Sequence, residues 1–101
     1  MKARIGQSLV STVDSTAVIV VRWPSDDLDV TCGGAAMVGQ GDSAPAGESD
    51  PDQMDGTQLG KRYADESLGV ELLCTKAGLG TLAVAGRPLA LKSARPLPAS
   101  D

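Results

Sequence analysis

Apolar and polar positions alternate most clearly near the amino terminus. Leu9 to Val13 and Thr16 to Trp23 are rich in Val, Ile and Thr, and Asp14-Ser15 between them makes a turn, so the pattern predicts a β-hairpin. In the second run Val18, Val20 and Arg22 alternate with Ile19, Val21 and Trp23. The β-branched residues Val18 to Val21 put apolar side chains on both faces, which predicts a central strand buried on both sides. Pro24 carries no amide donor and stops the ladder; Ser25-Asp26-Asp27 reads as a surface turn before Leu28 to Cys32 resumes as a short strand.

The pattern vanishes between Gly39 and Gly60. Residues 42 to 56 hold five acids (Asp42, Glu48, Asp50, Asp52, Asp55) and no base, so self-repulsion and lack of apolar residues predict a long, mobile acidic loop over 39–60. Lys61-Arg62-Tyr63 fits a short strand or a single helical turn. Val70 to Thr75, Thr81 to Ala85 and Pro88 to Lys92 then read as three short strands of a meander, separated by the Gly78/Gly80 turn and a tight Gly86-Arg87 turn. Pro96 and Pro98 predict an extended tail over 94–101. No stretch of about ten residues shows an apolar 3.6-residue repeat free of Gly or Pro, so helices are not expected. The expectation is an all-β chain: one small domain of about six short antiparallel strands over residues 1–101, arranged as an open barrel or as packed ribbons.

Composition sharpens this reading. The 101 residues include one Trp, one Tyr and no Phe, so the core rests on Val, Leu and Ala and is thin. A chain of this size hides only about two thirds of its surface alone, which makes burial against a second copy or a larger partner an expected source of stability. A net charge of −4 with no basic stripe argues against nucleic-acid binding. The longest apolar run, Ala17 to Val21, is far short of the ~20 residues a membrane helix needs. Polar residues at Gln7, Ser8, Ser11 and Thr12 interrupt any secretory leader, so a cytoplasmic location with reduced Cys32 and Cys74 is expected.

Histidine is absent, which removes Ser–His and Cys–His nucleophile pairs from the chain. Gly33-Gly34 and Gly39-Gln40-Gly41 lack the Lys-Ser/Thr of a phosphate loop. Counting from Asp50, Met54 stands fifth, Gly56 seventh and Lys61 twelfth, so an EF-hand calcium loop is excluded by spacing. Asp65, Glu66 and Glu71 could serve an enzyme, but their spacing does not separate them from surface acids. Missing residue types therefore favour binding over catalysis.

The segment Cys74-Thr75-Lys76-Ala77-Gly78-Leu79-Gly80-Thr81-Leu82-Ala83-Val84-Ala85-Gly86-Arg87-Pro88-Leu89 resembles the metal knuckle of the desulforedoxin branch of rubredoxin-like proteins. There a Cys-x-x-Cys-Gly turn precedes Gly-Thr-Leu and a Cys-Cys-Gly-x-Pro-Met turn. Cys74 stands at the first thiolate and Gly78 at the knuckle glycine, while Ala77, Val84 and Ala85 replace the other three thiolates. Thr31 to Val38 carries a looser echo of the second turn, and together the likeness covers about a quarter of the chain. One thiolate cannot hold a tetrahedral metal, so the resemblance implies a metal-free β-ribbon in which Val84 and Ala85 pack instead.

Three functions follow as expectations. The first is a non-catalytic accessory or self-assembling protein, binding itself or a larger enzyme without a cofactor, with Trp23, Arg22, Arg62 and Tyr63 as interface residues. The second pools Cys32 and Cys74 of two chains around zinc or iron, or uses them in redox chemistry. The third is a small-ligand-binding β protein. The two thiols also fit a plain role as small buried hydrophobes.

Overall fold

The computed structural model describes residues 3–25, 27–42 and 47–92, and among these residues it contains strands and no helix. In chain order they are β1 (Ser8–Val10), β2 (Ala17–Arg22), β3 (Val30–Cys32), β4 (Ala35–Ala36), β5 (Val38–Gly39), β6 (Arg62–Asp65), β7 (Val70–Lys76), β8 (Leu82–Val84), β9 (Arg87–Pro88) and β10 (Ala90–Leu91). Every pairing is antiparallel. A six-stranded sheet runs β10-β6-β7-β2-β1-β5, and a four-stranded sheet runs β4-β3-β8-β9.

The all-β expectation is met, with a different strand count. Ten strands form rather than about six, because β4, β5, β9 and β10 have two residues each, too few to show alternation in sequence. The arrangement is two open sheets sharing one core, which is the packed-ribbon form of the expectation rather than the barrel. Leu9, Val18, Val20, Leu72 and Cys74 of the large sheet join Val30, Cys32, Leu82 and Val84 of the small one in a single buried cluster.

The β1–β2 hairpin is present, but β1 stops at Val10 rather than Val13. The Ser11 hydroxyl accepts the amides of Val13 (3.1 Å) and Asp14 (3.2 Å), turning the chain before the ladder can continue. β2 is central, between β1 and β7. Burial is complete on only one of its faces: Val18 and Val20 enter the core, while Ile19 and Val21 point away and are half-buried.

The expected strand over Pro88 to Lys92 divides. Arg87–Pro88 pairs with β8 in the small sheet; after buried Leu89, Ala90–Leu91 pairs with β6 in the large one, so this stretch stitches the two sheets together. The turn before it is one residue earlier than expected. Val84 pairs with Arg87, leaving Ala85 (φ 52°) and Gly86 (φ 77°) as a two-residue type I′ hairpin turn. Lys61-Arg62-Tyr63, open between strand and helical turn, leads into strand β6.

The described part of the acidic loop is largely irregular, as its composition requires, yet residues 47–60 are anchored, while positions 43–46 lie outside the described residues. Asp50 donates its amide to the Gly33 carbonyl (2.7 Å), Thr81 donates to the Gln53 carbonyl (2.8 Å), and Thr57 exchanges backbone hydrogen bonds with Gly78. Thr57 is buried, and its hydroxyl donates to the Gly80 carbonyl at 2.7 Å. The expected tail over 94–101 lies outside the described residues.

Candidate functional site

Two features combine unusual chemistry with a defined position: the outer face of the large sheet and a polar junction at Asp14.

Because side chains alternate along a strand, the residues between the core positions of the large sheet all face away from the small one. Ile19 of β2 stands directly opposite Leu73 of β7, and Val10 lies between Ala17 and Val38 on the same face. Ile19, Leu73, Val10, Val21 and Val38 are half-buried. The margin of this face is charged. Arg62 of β6 sits opposite Leu73, and Lys76 opposite Ala17. Glu71, almost fully buried, accepts from Lys92 Nζ at 2.6 Å and from Arg62 Nη1 at 3.2 Å. The Lys92 hydrogen bond is the main force holding the Glu71 carboxyl below its ordinary 4.5; burial pushes it up, and the charges of Lys92 and Arg62 lower it further. Arg22 lies 3.7 Å from Glu66, both well exposed.

Asp14, in the β1–β2 turn, joins three distant segments. Its Oδ1 accepts the Thr16 amide at 2.8 Å and lies 3.9 Å from Cys32 Sγ. Its Oδ2 accepts the amides of Leu79 (2.9 Å) and Gly80 (2.7 Å). Burial works against the charge, but the amides of Thr16 and Gly80 outweigh it and hold Asp14 below its ordinary 3.8. The buried Thr16 hydroxyl lies beside this carboxylate and the Cys32 thiol and favours charge on both, yet has no partner at hydrogen-bonding geometry among the described residues. Gly78 and Gly80 are required here by close approach. A Cβ on Gly78 would overlap Thr16 Oγ1, and one on Gly80 would stand 2.6 Å from the Gly33 nitrogen and 2.8 Å from Cys32 Sγ.

The thiols share the core. Cys32 and Cys74 are both free and buried. Burial is the main cause raising each above the ordinary 9.0, and Cys32 adds to the rise at Cys74. Cys74 Sγ lies 3.2 Å from the Lys76 carbonyl. Among the described residues no three Cys, Asp or Glu side chains are grouped to hold a metal. Of the other knuckle positions, Val84 is core, Ala77 is exposed and Ala85 forms the hairpin turn.

The remaining interface candidates divide by orientation. Tyr63 points into the core and its hydroxyl oxygen accepts the Gln58 amide at 2.9 Å, while Trp23 packs half-buried against the same cluster. Arg22 and Arg62 lie on the outer face with their ion-pair partners. The structure therefore separates the aromatics from the arginines instead of bringing them into one patch. The sequence marks Asp14 only as a turn residue, because its Leu79 and Gly80 partners are more than 60 residues away, and its spacing does not separate Glu71 from surface acids. The apolar outer face was written in the four consecutive β-branched residues of β2.

The fold and these features define a two-sheet antiparallel β domain whose large sheet carries a charged-rimmed outer face. No family model, curated protein or solved structure matches the chain.

Proposed function

We propose that this chain is a non-catalytic assembly module that buries the outer face of its large sheet against copies of itself or against a larger partner protein, in the cytoplasm. The observation that carries this reading is the Ile19–Leu73 pair at the centre of the sheet face turned away from the shared core. One face of the β2–β7 pair makes the core; on the other, Ile19, Val21 and Leu73 stand among the polar side chains of Ser8, Arg62, Glu71 and Lys76. The thin core gives such burial an energetic role, at about 25 cal/mol for each Å² of apolar surface removed from water. Free thiols suit a reducing compartment.

The alternatives have less support. The protonated, core-packed thiols suit small buried hydrophobes better than zinc or iron ligands shared between subunits. The cleft bordered by Ser8, Ser11, Asp14 and Lys76 encloses about 150 Å³, less than the ~300 Å³ at which ligand pockets begin. A larger cleft of about 490 Å³ is lined by Arg4, Gln7, Ser8, Gly39, Gln40 and Asp42, without the apolar side chains that line most small-molecule sites.

Light scattering on the eluting protein, paired with capture from the native host, tests the proposal. Wild type is expected to self-associate or to retain a stoichiometric partner, and Leu73→Lys to abolish whichever is seen while keeping the β-rich circular dichroism spectrum. A lone monomer that retains nothing, or an assembly indifferent to Leu73→Lys, overturns it.

A further inference from the structure

Four bases of this chain gather at one face, and a run of acids occupies one loop. Of its nine Lys and Arg residues, Arg22, Arg62, Lys76 and Lys92 lie on or border the outer face of the large sheet. Three carboxylates accompany them there: Glu71 is shared between Arg62 and Lys92, Glu66 lies beside Arg22, and Asp14 lines the cleft that Lys76 borders. The face therefore carries surplus positive charge on a protein whose net charge is −4. The opposite composition occupies residues 48–55. Glu48, Asp50, Asp52 and Asp55 fall there with no base; Glu48, Asp52 and Asp55 are exposed, and Met54 is 37% exposed with its sulfur beside Gly33.

This loop cannot neutralise the face of its own molecule. Asp50 is tied to the Gly33 carbonyl in the β3–β4 turn, Gln53 to the Thr81 amide, and the Asp55 amide to the Thr81 hydroxyl at 3.0 Å, all on the side of the small sheet. The basic-rimmed face is directed away from the small sheet, because the core lies between them.

Resting on the assembly reading above, we propose that the occupant of the outer face is the acidic 48–55 loop of a second copy of this chain. Met54 supplies an apolar side chain for the Ile19–Leu73 centre, and the flanking carboxylates meet Lys76 and the Arg62–Lys92 pair at the margin. Two different patches of one molecule then meet, so contact can propagate or close into a ring or a reciprocal pair. Charge complementarity of this kind sets specificity and salt dependence. A single-stranded nucleic acid would lack aromatic platforms here, since the chain's two aromatics are Tyr63, in the core, and Trp23, packed against it.

The test is analytical ultracentrifugation of the full chain as wild type, Lys76→Glu, Asp52→Lys, the double variant and Leu73→Lys, at low and high salt, with circular dichroism melts confirming that each is folded. Both substituted charges are exposed and lie outside the core. Association is expected in wild type, weakened about tenfold by either charge reversal and by high salt, and recovered to within about threefold when the reversals are combined. Single reversals without effect, or a double variant that fails to recover, overturn the loop-to-face contact; if Leu73→Lys still abolishes association in that case, the assembly reading stands with another occupant. Wild type monomeric at every concentration up to about 1 mM also overturns self-docking, and capture of a partner sensitive to Leu73→Lys then separates that failure from failure of the assembly reading.

Discussion

Asp14 Oδ2 accepts the Gly80 amide at 2.7 Å across 66 positions of sequence, and this bond joins the β1–β2 turn to the β7–β8 connection. The same carboxylate holds Leu79 and Thr16, so one side chain replaces a stretch of ladder that neither sheet could supply at that corner. Hydrogen bonds to a charged acceptor contribute about 1.5–3 kcal/mol and are not additive within a cluster. Asp14→Asn places an amide donor against amide donors and is expected to cost about 2–3 kcal/mol in urea unfolding at pH 7. Because the folded pKa lies below the ordinary 3.8, the stabilisation is complete above that value and is lost as pH falls through the folded one. The difference between wild type and Asp14→Asn should therefore shrink in acid, and a constant difference down to pH 2 would refute the assignment.

Packing at the same corner leads to a second expectation. Gly80→Ala drives a methyl group into the Gly33 backbone and Cys32 Sγ, and overpacking of this kind costs about 1–3 kcal/mol. Neither neighbour is the end of a flexible chain, so the upper part of that range is expected. Gly41→Ala is the control: its φ of 90° strains an alanine, but its Cβ meets nothing within 4 Å. Thermal melts should show Gly80→Ala as the more damaging variant, and equal melting temperatures would mean that only backbone strain matters here.

Alternation, β-branching and turn residues made the hairpin, the central β2 and the strands around Val70 to Thr75 and Thr81 to Ala85 legible in the sequence. They could not show the division of the last strand, because Pro88 to Lys92 pairs with two sheets in turn and carries no sign of the exchange. β4 and β5 were hidden by length: a two-residue strand has no period. Among site residues, the sequence marks Cys32, Cys74 and the aromatics by rarity, but burial depends on which face each one takes. Asp14 and Glu71 were invisible as sites because their partners are distant and a carboxylate in sequence looks the same whether solvated or buried.

The β8–β9 turn offers a stabilising substitution. Ala85 adopts φ 52° where type I′ turns favour Asn or Gly, and a left-handed alanine costs roughly 1–2 kcal/mol. Ala85→Asn creates the Asn-Gly pair that such turns prefer, and should raise unfolding free energy by about 0.5–1 kcal/mol. The Ala85 amide donates to the Asp29 carbonyl at 2.9 Å, and the substitution leaves that bond in place. A fall in stability would show that the turn has another geometry.

Glu71 tests the charged rim from the inside. Removing one member of a buried ion pair costs about 3–5 kcal/mol when the other charge is stranded, but Arg62 and Lys92 both reach solvent. The expected cost of Glu71→Gln is therefore smaller, about 1–2 kcal/mol in denaturant. Lys92→Met should cost less than Glu71→Gln, because Arg62 remains as partner to the carboxylate. The reverse order would mean that Lys92 contributes through packing of its stem.

The two thiols set the alkaline limit. Burial raises both Cys32 and Cys74 above 9.0, so the folded state holds its protons where the unfolded chain releases them. Their contribution is complete below pH 9.0 and is lost as pH climbs toward the folded values. Urea midpoints should accordingly fall between pH 9 and 11 in wild type and fall less in Cys32→Ala, whose own cavity penalty is independent of pH. The same burial predicts that iodoacetamide labels neither thiol at pH 7 until the chain unfolds globally. Rapid labelling of the native protein, or about half an equivalent of zinc or iron per chain after purification without chelator, would instead mean that the thiols leave the core to meet a metal shared between subunits.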